Sequence, residues 1–273
     1  MSRNIQLLAI DVQNDFASVE TDSQGRSPTL FVPGADQDTI RLVNLINRLD
    51  DKISDIHVTM DSHRSIQIFF SSFWCDSRGK NPDPFTVISV DDVESGAWTT
   101  VNPGWKQRAI DYVRALAERG RNPLCVWPYH TMIGSWGASL VPIFSNALIK
   151  WEQNNFAVVD YITKGTSLMT EHYSIVAGEV IDPADPHTMI NTGLIETLQE
   201  ADEVLLSGQA LSHCVRNSVL DIIDNFGEEN INKLVLLTDT SSNVPGFESL
   251  GTSFVREATA RGMRTTTSTD YLA

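Results

Sequence analysis

Positive charge is scarce in this chain of 273 residues: 20 lysines and arginines stand against 35 aspartates and glutamates, a formal charge of -15. Neutralising nucleic-acid phosphates needs the opposite balance, so no nucleic-acid partner is expected and the acidity reads as solubility. Cysteine is nearly absent as well, with Cys75, Cys125 and Cys214 alone. An odd number without C-x-x-C spacing suggests neither a disulfide framework nor a cysteine zinc site, and it points to a reducing, cytoplasmic setting. Long hydrophobic runs are also missing. The N-terminal apolar stretch is about six residues long and ends at Asp11, too short for a signal segment or a membrane span, so no membrane partner is expected. No repeat, low-complexity tract or linker divides the sequence, and 1–273 reads as one domain with ample material for a core.

What the chain does contain is a series of short apolar runs, at 5–10, 56–60, 157–162 and 204–207, with KLVLLTD and MRTTTST supplying two more. Between them lie helical patterns. Ile40, Val43, Ile46 and Leu49 follow a three-to-four spacing in a helix that begins near Ala35. Asn102-Pro103, then Trp105, Ala109, Val113 and Leu116, then Gly120, carry the cap, first-turn proline and closing glycine of another. Val215, Val219, Ile222 and Phe226 mark a helix over 213–226, and a further one is expected over about 247–261. PFTVISV at 84–90 predicts an extra strand, and 123–130 an extended segment. Strands alternating with helices predict an α/β fold with a parallel sheet covered on both faces. The stretch at about 71–122 reads as an insert into that pattern.

Asp11, Asp61, Lys164 and Cys214 each follow the end of a separate run, so parallel strands would deliver all four to one sheet edge, where open α/β sheets hold ligands. As the second residue of a helix, Cys214 would meet unpaired N–H groups and a positive dipole end that favour the thiolate; alternatively it is a small buried hydrophobe. Asp11 is either a loop or capping carboxylate or an acceptor for the thiol proton. Lys164 is either a surface lysine or the cation that keeps its neighbours charged. Asp61 and His63 form a D-x-H pair, and with His130 they make a donor set suited to Zn²⁺, Fe²⁺ or Mn²⁺, unless Asp61 merely caps a helix beside a surface histidine. His57 reads as structural, His172 and His187 as loop residues, and His213 as a packing or dimer-contact residue, because helix neighbours point about 100° apart.

Together, DVQNDF at 11–16, D-S-H at 61–63, WPYH at 127–130, KG at 164–165 with EHYS at 171–174, and SGQALSHCV at 207–215 resemble the isochorismatase-like cysteine hydrolases, and within them the nicotinamidases. The resemblance implies a three-layer sandwich around a six-stranded parallel sheet and a homo-oligomer. It implies a Cys214, Asp11 and Lys164 triad, with a divalent metal on Asp61, His63 and His130. It further implies a substrate ring between Phe16, Trp127 and Tyr173, a cis peptide at Gln209-Ala210, and an oxyanion site at the N–H groups of Ala210 and Cys214. Several positions depart from the family pattern: Leu211-Ser212 replaces a pair that is often Thr-Asp, Thr131 replaces a usual cysteine, and RSIQIFF at 64–70 lacks a further histidine. Phe69, Phe70, Phe73 and Trp74 are expected in the core or at a subunit interface rather than reshaping the pocket. The expected activity is hydrolysis of nicotinamide, or a close heteroaromatic amide, through a thioester. The alternatives are a ureido or carbamoyl C–N hydrolase and a non-catalytic scaffold.

Overall fold

The apolar runs pair with one another. The computed structural model describes residues 3–18, 21 and 24–273, and in it the strands are β1 (Ile5–Ile10), β2 (Asp55–Asp61), β3 (Trp74–Cys75), β4 (Val87–Ile88), β5 (Thr99–Thr100), β6 (Leu124–Cys125), β7 (Asp160–Lys164), β8 (Glu203–Gly208), β9 (Leu234–Leu237) and β10 (Arg264–Thr266). The helices are α1 (Asn14–Ala17), α2 (Ala35–Leu49), α3 (Val90–Ser95), α4 (Lys106–Arg119), α5 (Pro142–Asn155), α6 (Thr192–Gln199), α7 (Arg216–Phe226) and α8 (Glu248–Ala260). Six strands form one all-parallel sheet in the order β10-β9-β8-β1-β2-β7. Every residue of β1, β8 and β9 is buried, which requires cover on both faces. Helices supply it in two groups, α2 with α5 and α7 with α6 and α8, giving the three-layer α/β sandwich that the alternation predicts.

Strand order reverses at β1. The chain moves outward through β2 and β7, then returns to place β8 on the other side of β1 and continues through β9 to β10. A switch point of this kind opens a crevice at the carboxyl ends of the strands. Register decides which residues reach it: Ile10 lies opposite Gly208, and Asp61 lies opposite Lys164.

Several elements differ from expectation. β7 starts at Asp160 and includes Lys164, because the backbone of 157–159 is engaged by the end of α5: the N–H groups of Ala157 and Val159 donate to the carbonyl and side chain of Glu152. Asp61 is likewise the last residue of its strand. The strand foreseen over 84–90 shrinks to β4, paired with β6, since Ser89 caps α3 in a reciprocal box with Asp92. α4 follows a 3-10 turn, Pro103–Trp105, in which the Asn102 side chain accepts from Gly104 N–H, and it ends at left-handed Gly120. A π-helical turn, Leu211–Val215, precedes α7, so Cys214 is not the second residue of an α-helix. α5 and α6 have no counterpart in the sequence reading.

Phe69, Phe70, Phe73 and Trp74 are all at most 1% exposed and belong to the core. Arg119 and Arg121 pair with Asp221 of α7, so the inserted segment packs on the main body. Among the described residues no helix is long and apolar enough to cross a membrane.

Gly208 has φ +116°, and a Cβ there would fall 2.0 Å from the Ile10 carbonyl oxygen. Backbone atoms of the central strand cannot yield as a flexible side chain would. Gly208→Ala is expected to destabilise the protein by about 4 kcal/mol, measured as a lowered midpoint in urea unfolding; a loss within about 0.5 kcal/mol would contradict this packing.

Candidate active site

Asp11 is the first residue beyond β1 and takes a left-handed φ of 50°. Thr59 on the neighbouring strand holds it there: Thr59 Oγ1 accepts from Asp11 N–H at 3.0 Å and donates to Asp11 Oδ1 at 2.5 Å. The free oxygen, Oδ2, faces Lys164 Nζ at 2.9 Å. The same ammonium reaches Asp61 Oδ1 at 2.9 Å, the His172 carbonyl at 3.0 Å and Cys214 Sγ at 3.6 Å. All four charged or nucleophilic residues from the sequence reading therefore meet around one buried cation.

Their electrostatics follow from that burial. Burial alone would strip Lys164 of its proton, but Asp11, Asp61 and Cys214 hold its pKa well above the ordinary value. Burial pushes Asp11 up; Lys164 opposes the shift and the Asp61 charge adds to it. Cys214 corrects an expectation. Burial, joined by the carboxylates of Asp11 and Asp61, outweighs the Lys164 ammonium and raises the thiol well above its usual range. That direction opposes the thiolate that a position at a helix start would favour.

Asp61 uses its second oxygen elsewhere. Oδ2 lies 2.9 Å from His63 Nε2 and 3.6 Å from His130 Nε2, and the three donor atoms fall within 4.8 Å of one another. Burial would raise Asp61, but the neighbouring His63, His130 and Lys164 keep it well below the usual carboxylate range. The other nitrogen of each imidazole meets a carbonyl, His63 Nδ1 with Gly165 O at 2.9 Å and His130 Nδ1 with Pro128 O at 2.8 Å. Those bonds place the ring protons on Nδ1 and leave the Nε2 lone pairs pointing inward, the arrangement found behind metal-bound histidines. His63 Nε2 is buried and makes no hydrogen bond. Gln13 clamps the backbone of Asp61 with two 2.8 Å bonds, one to N–H and one to C=O. A Cβ on Gly165 would fall 2.6 Å from Asp61 Oδ1, so glycine is needed for this close approach. Asp61, His63 and His130 therefore fit a divalent cation.

A small cavity opens beside these groups. Phe16, Trp127 and Tyr173 line it, as do Ala210 and Cys214, and the peptide bond Gln209-Ala210 is cis. Ala210 N–H makes no bond to the described backbone. Sequence did not place Glu171, His172 and His213 at this wall, nor apolar Leu30, Val32 and Val244. Burial pushes Glu171 up to about 7 and His172 down to about 4. His213 packs its ring against Trp127, Tyr173 and Phe247, in line with the packing reading, and it also lines the cavity. EHYS lies seven to ten residues beyond Lys164, and that proximity was the available signal for Glu171 and His172. His57 bonds Asp160 and Gln6 within the sheet, away from this cluster, and His187 lies in an exposed 3-10 turn.

No protein-family model matches the chain, and no curated protein sequence matches it. Solved structures do. The chain is similar to a nicotinamidase and pyrazinamidase of Acinetobacter baumanii, with 21% identity over 98% of both chains and a TM-score of 0.64. It is similar to the yeast nicotinamidase at 19% identity, over 96% of this chain and 98% of that one, with a TM-score of 0.64. A zinc complex of the Pyrococcus horikoshii pyrazinamidase matches at 19% identity over 97% and 99% of the two chains, with a TM-score of 0.54. At these identities the likeness shows the fold, which is that of the isochorismatase-like hydrolases and nicotinamidases.

Zinc titrated into metal-free protein is expected to bind at one ion per chain. His63→Ala is expected to abolish that binding, and Gln13→Ala to weaken it roughly 10–100-fold by freeing the Asp61 backbone. Equilibrium dialysis with metal analysis measures both, and an unchanged stoichiometry in His63→Ala would place the ion elsewhere.

Proposed function

We propose that this chain is a metal-containing cysteine amidohydrolase that converts nicotinamide, or a close heteroaromatic amide, to the acid and ammonia. One observation carries the reading. Lys164 Nζ spans the Asp11 carboxylate and Cys214 Sγ at the floor of a cavity whose wall holds the Asp61, His63 and His130 donor set. The names of the fold neighbours support it, since they include nicotinamidases and a zinc-bound pyrazinamidase. The buried donor set favours this reading over a ureido or carbamoyl hydrolase, whose chemistry would leave it without a role.

The cycle follows from the proton inventory. With substrate in the cavity, Asp11 takes the proton from Cys214 and the sulfur attacks the amide carbon, while Lys164 keeps the separated charges close to a cation throughout. The oxygen that gains charge is met by the amide N–H groups of Ala210 and Cys214. Asp11 returns the proton to the departing nitrogen, ammonia leaves, and a thioester remains on Cys214. Asp11 then accepts a proton from water as it attacks the thioester, releasing the acid and restoring the thiol. Phe16, Trp127 and Tyr173 hold the ring against rotation, so that the carbonyl stays at the sulfur. A divalent ion on Asp61, His63 and His130 would supply Lewis acidity and a fixed contact for a ring nitrogen.

Zinc-loaded protein is expected to release ammonia from nicotinamide. Cys214→Ala is expected to fall below detection, and Asp11→Asn to lose roughly 10²–10⁴ in kcat. A coupled ammonia assay over a panel of aromatic amides checks this, and silence across the panel with one metal per chain would refute the reading.

A further inference from the structure

Thr59 places a fully buried hydroxyl in β2 between Val58 and Met60, and the proposed cycle gives it nothing to do. Its hydrogen bonding has only one possible direction. An amide N–H can only donate, so the 3.0 Å bond from Asp11 N–H takes a lone pair of Thr59 Oγ1, and the hydroxyl proton goes to Asp11 Oδ1. One oxygen of the carboxylate thus always faces a donor.

The other oxygen is left differently. Lys164 directs its three ammonium protons at Asp61 Oδ1, the His172 carbonyl and Cys214 Sγ. Asp11 Oδ2 lies 2.9 Å from Nζ and feels its charge, yet it is buried and makes no hydrogen bond among the described residues. An open lone pair on a buried carboxylate is costly, and it persists here beside a cation whose protons are aimed elsewhere. The nucleophile can fill it. Sγ accepts from Lys164, which leaves its own S–H to be directed, and hydrogen bonding with Asp11 is among the interactions that hold the thiol pKa up.

We propose that Oδ2 is the one oxygen of Asp11 that exchanges a proton with Cys214, and that Thr59 selects it by occupying Oδ1. In this step the S–H bond breaks and its electron pair stays on sulfur, while a lone pair of Oδ2 forms the new O–H bond. The negative charge passes from carboxylate to sulfur beside the same ammonium. Thr59 acts through Asp11 and is a positioning residue. The terminal torsion of an aspartate is soft, so without the hydroxyl either oxygen can turn toward the cation and the acceptor loses its aim. The inference deepens the amidase reading above and rests on it for the return of the proton to the departing nitrogen.

Two variants and one spectrum test this. Thr59→Val keeps the shape of the side chain and removes its hydroxyl. In metal-free protein at neutral pH it is expected to slow alkylation of Cys214 by iodoacetamide, followed on the Cys214 peptide by mass spectrometry, roughly 10–100-fold, the size of one hydrogen bond to a charged group. In zinc-loaded protein it is expected to lower kcat for ammonia release from nicotinamide by a similar factor with KM little changed. Thr59→Ser restores the hydroxyl without the methyl group and is expected to recover most of both rates. A role in packing alone gives the opposite order, with Val better than Ser. NMR of ¹³C-threonine-labelled native protein is expected to show a slowly exchanging hydroxyl proton at Thr59, and this decides the matter if Thr59→Val does not fold. A freely exchanging hydroxyl, or a Val variant as fast as Ser, overturns the proposal. The two readings fail separately: ammonia release unaffected by Thr59→Val sinks the selection of Oδ2, and slowed alkylation in a protein silent toward every amide sinks the amidase.

Discussion

A single ammonium group holds this site together. Asp11 and Asp61 are 0% and 3% exposed, and two carboxylates that deep would repel each other and lose their hydration. Lys164 Nζ sits 2.9 Å from an oxygen of each, so the cation supplies the charge that lets both stay in the interior. The balance is incomplete, since two anions face one cation. The remaining negative charge lies on the side of Asp61 turned toward His63 and His130, where a divalent ion would complete it. Asp61 is thus the hinge of the electrostatics. Oδ1 belongs to the lysine, Oδ2 faces His63 and His130, and Gln13 fixes the backbone from which both project.

Sheet geometry places the lysine with little freedom. Asp61 and Lys164 are register partners on adjacent parallel strands, so their side chains start from neighbouring positions at the same edge. Asp11 and the turn that carries Cys214 come from the two strands that flank the switch point. Gly208 lets the second of these strands approach Ile10 closely, and the left-handed backbone at Asp11 turns its carboxylate back toward Thr59 and the lysine. In this way residues far apart in sequence converge without a long connecting scaffold.

Much of this was legible in the sequence because strand ends and helix periods are local signals. The parallel sheet, α2, α4, α7 and α8 follow from period and punctuation, and the strand-end positions of Asp11, Asp61 and Lys164 follow from the apolar runs before them. Other features are properties of the packed state. The sequence shows Cys214 near a helix start and suggests a thiolate; burial, which no local pattern reports, reverses the balance. The packing of His213 follows from its place in the chain, whereas its share in the cavity wall depends on Trp127, Tyr173 and Phe247, which come from other segments. α5 has a local signal of its own, a proline at its first position after Val141. β7 began late because Glu152 captured the backbone before it, a tertiary contact.

The insert at about 71–122 has a bearing on the site that its sequence does not suggest. Tyr112 on α4 accepts from Glu171 N–H through its hydroxyl, and Arg119 donates to the carbonyls of Gly178 and Glu179. Both contacts fall on the segment that follows Lys164, and that segment supplies the His172 carbonyl to the lysine and Tyr173 to the cavity wall. Arg119 and Arg121 also bind Asp221 on α7, the helix that continues from the turn holding Cys214. The end of the insert thus contacts two of the segments that surround the buried ammonium. The insert is therefore packed against the segments that surround Lys164 rather than standing apart from them.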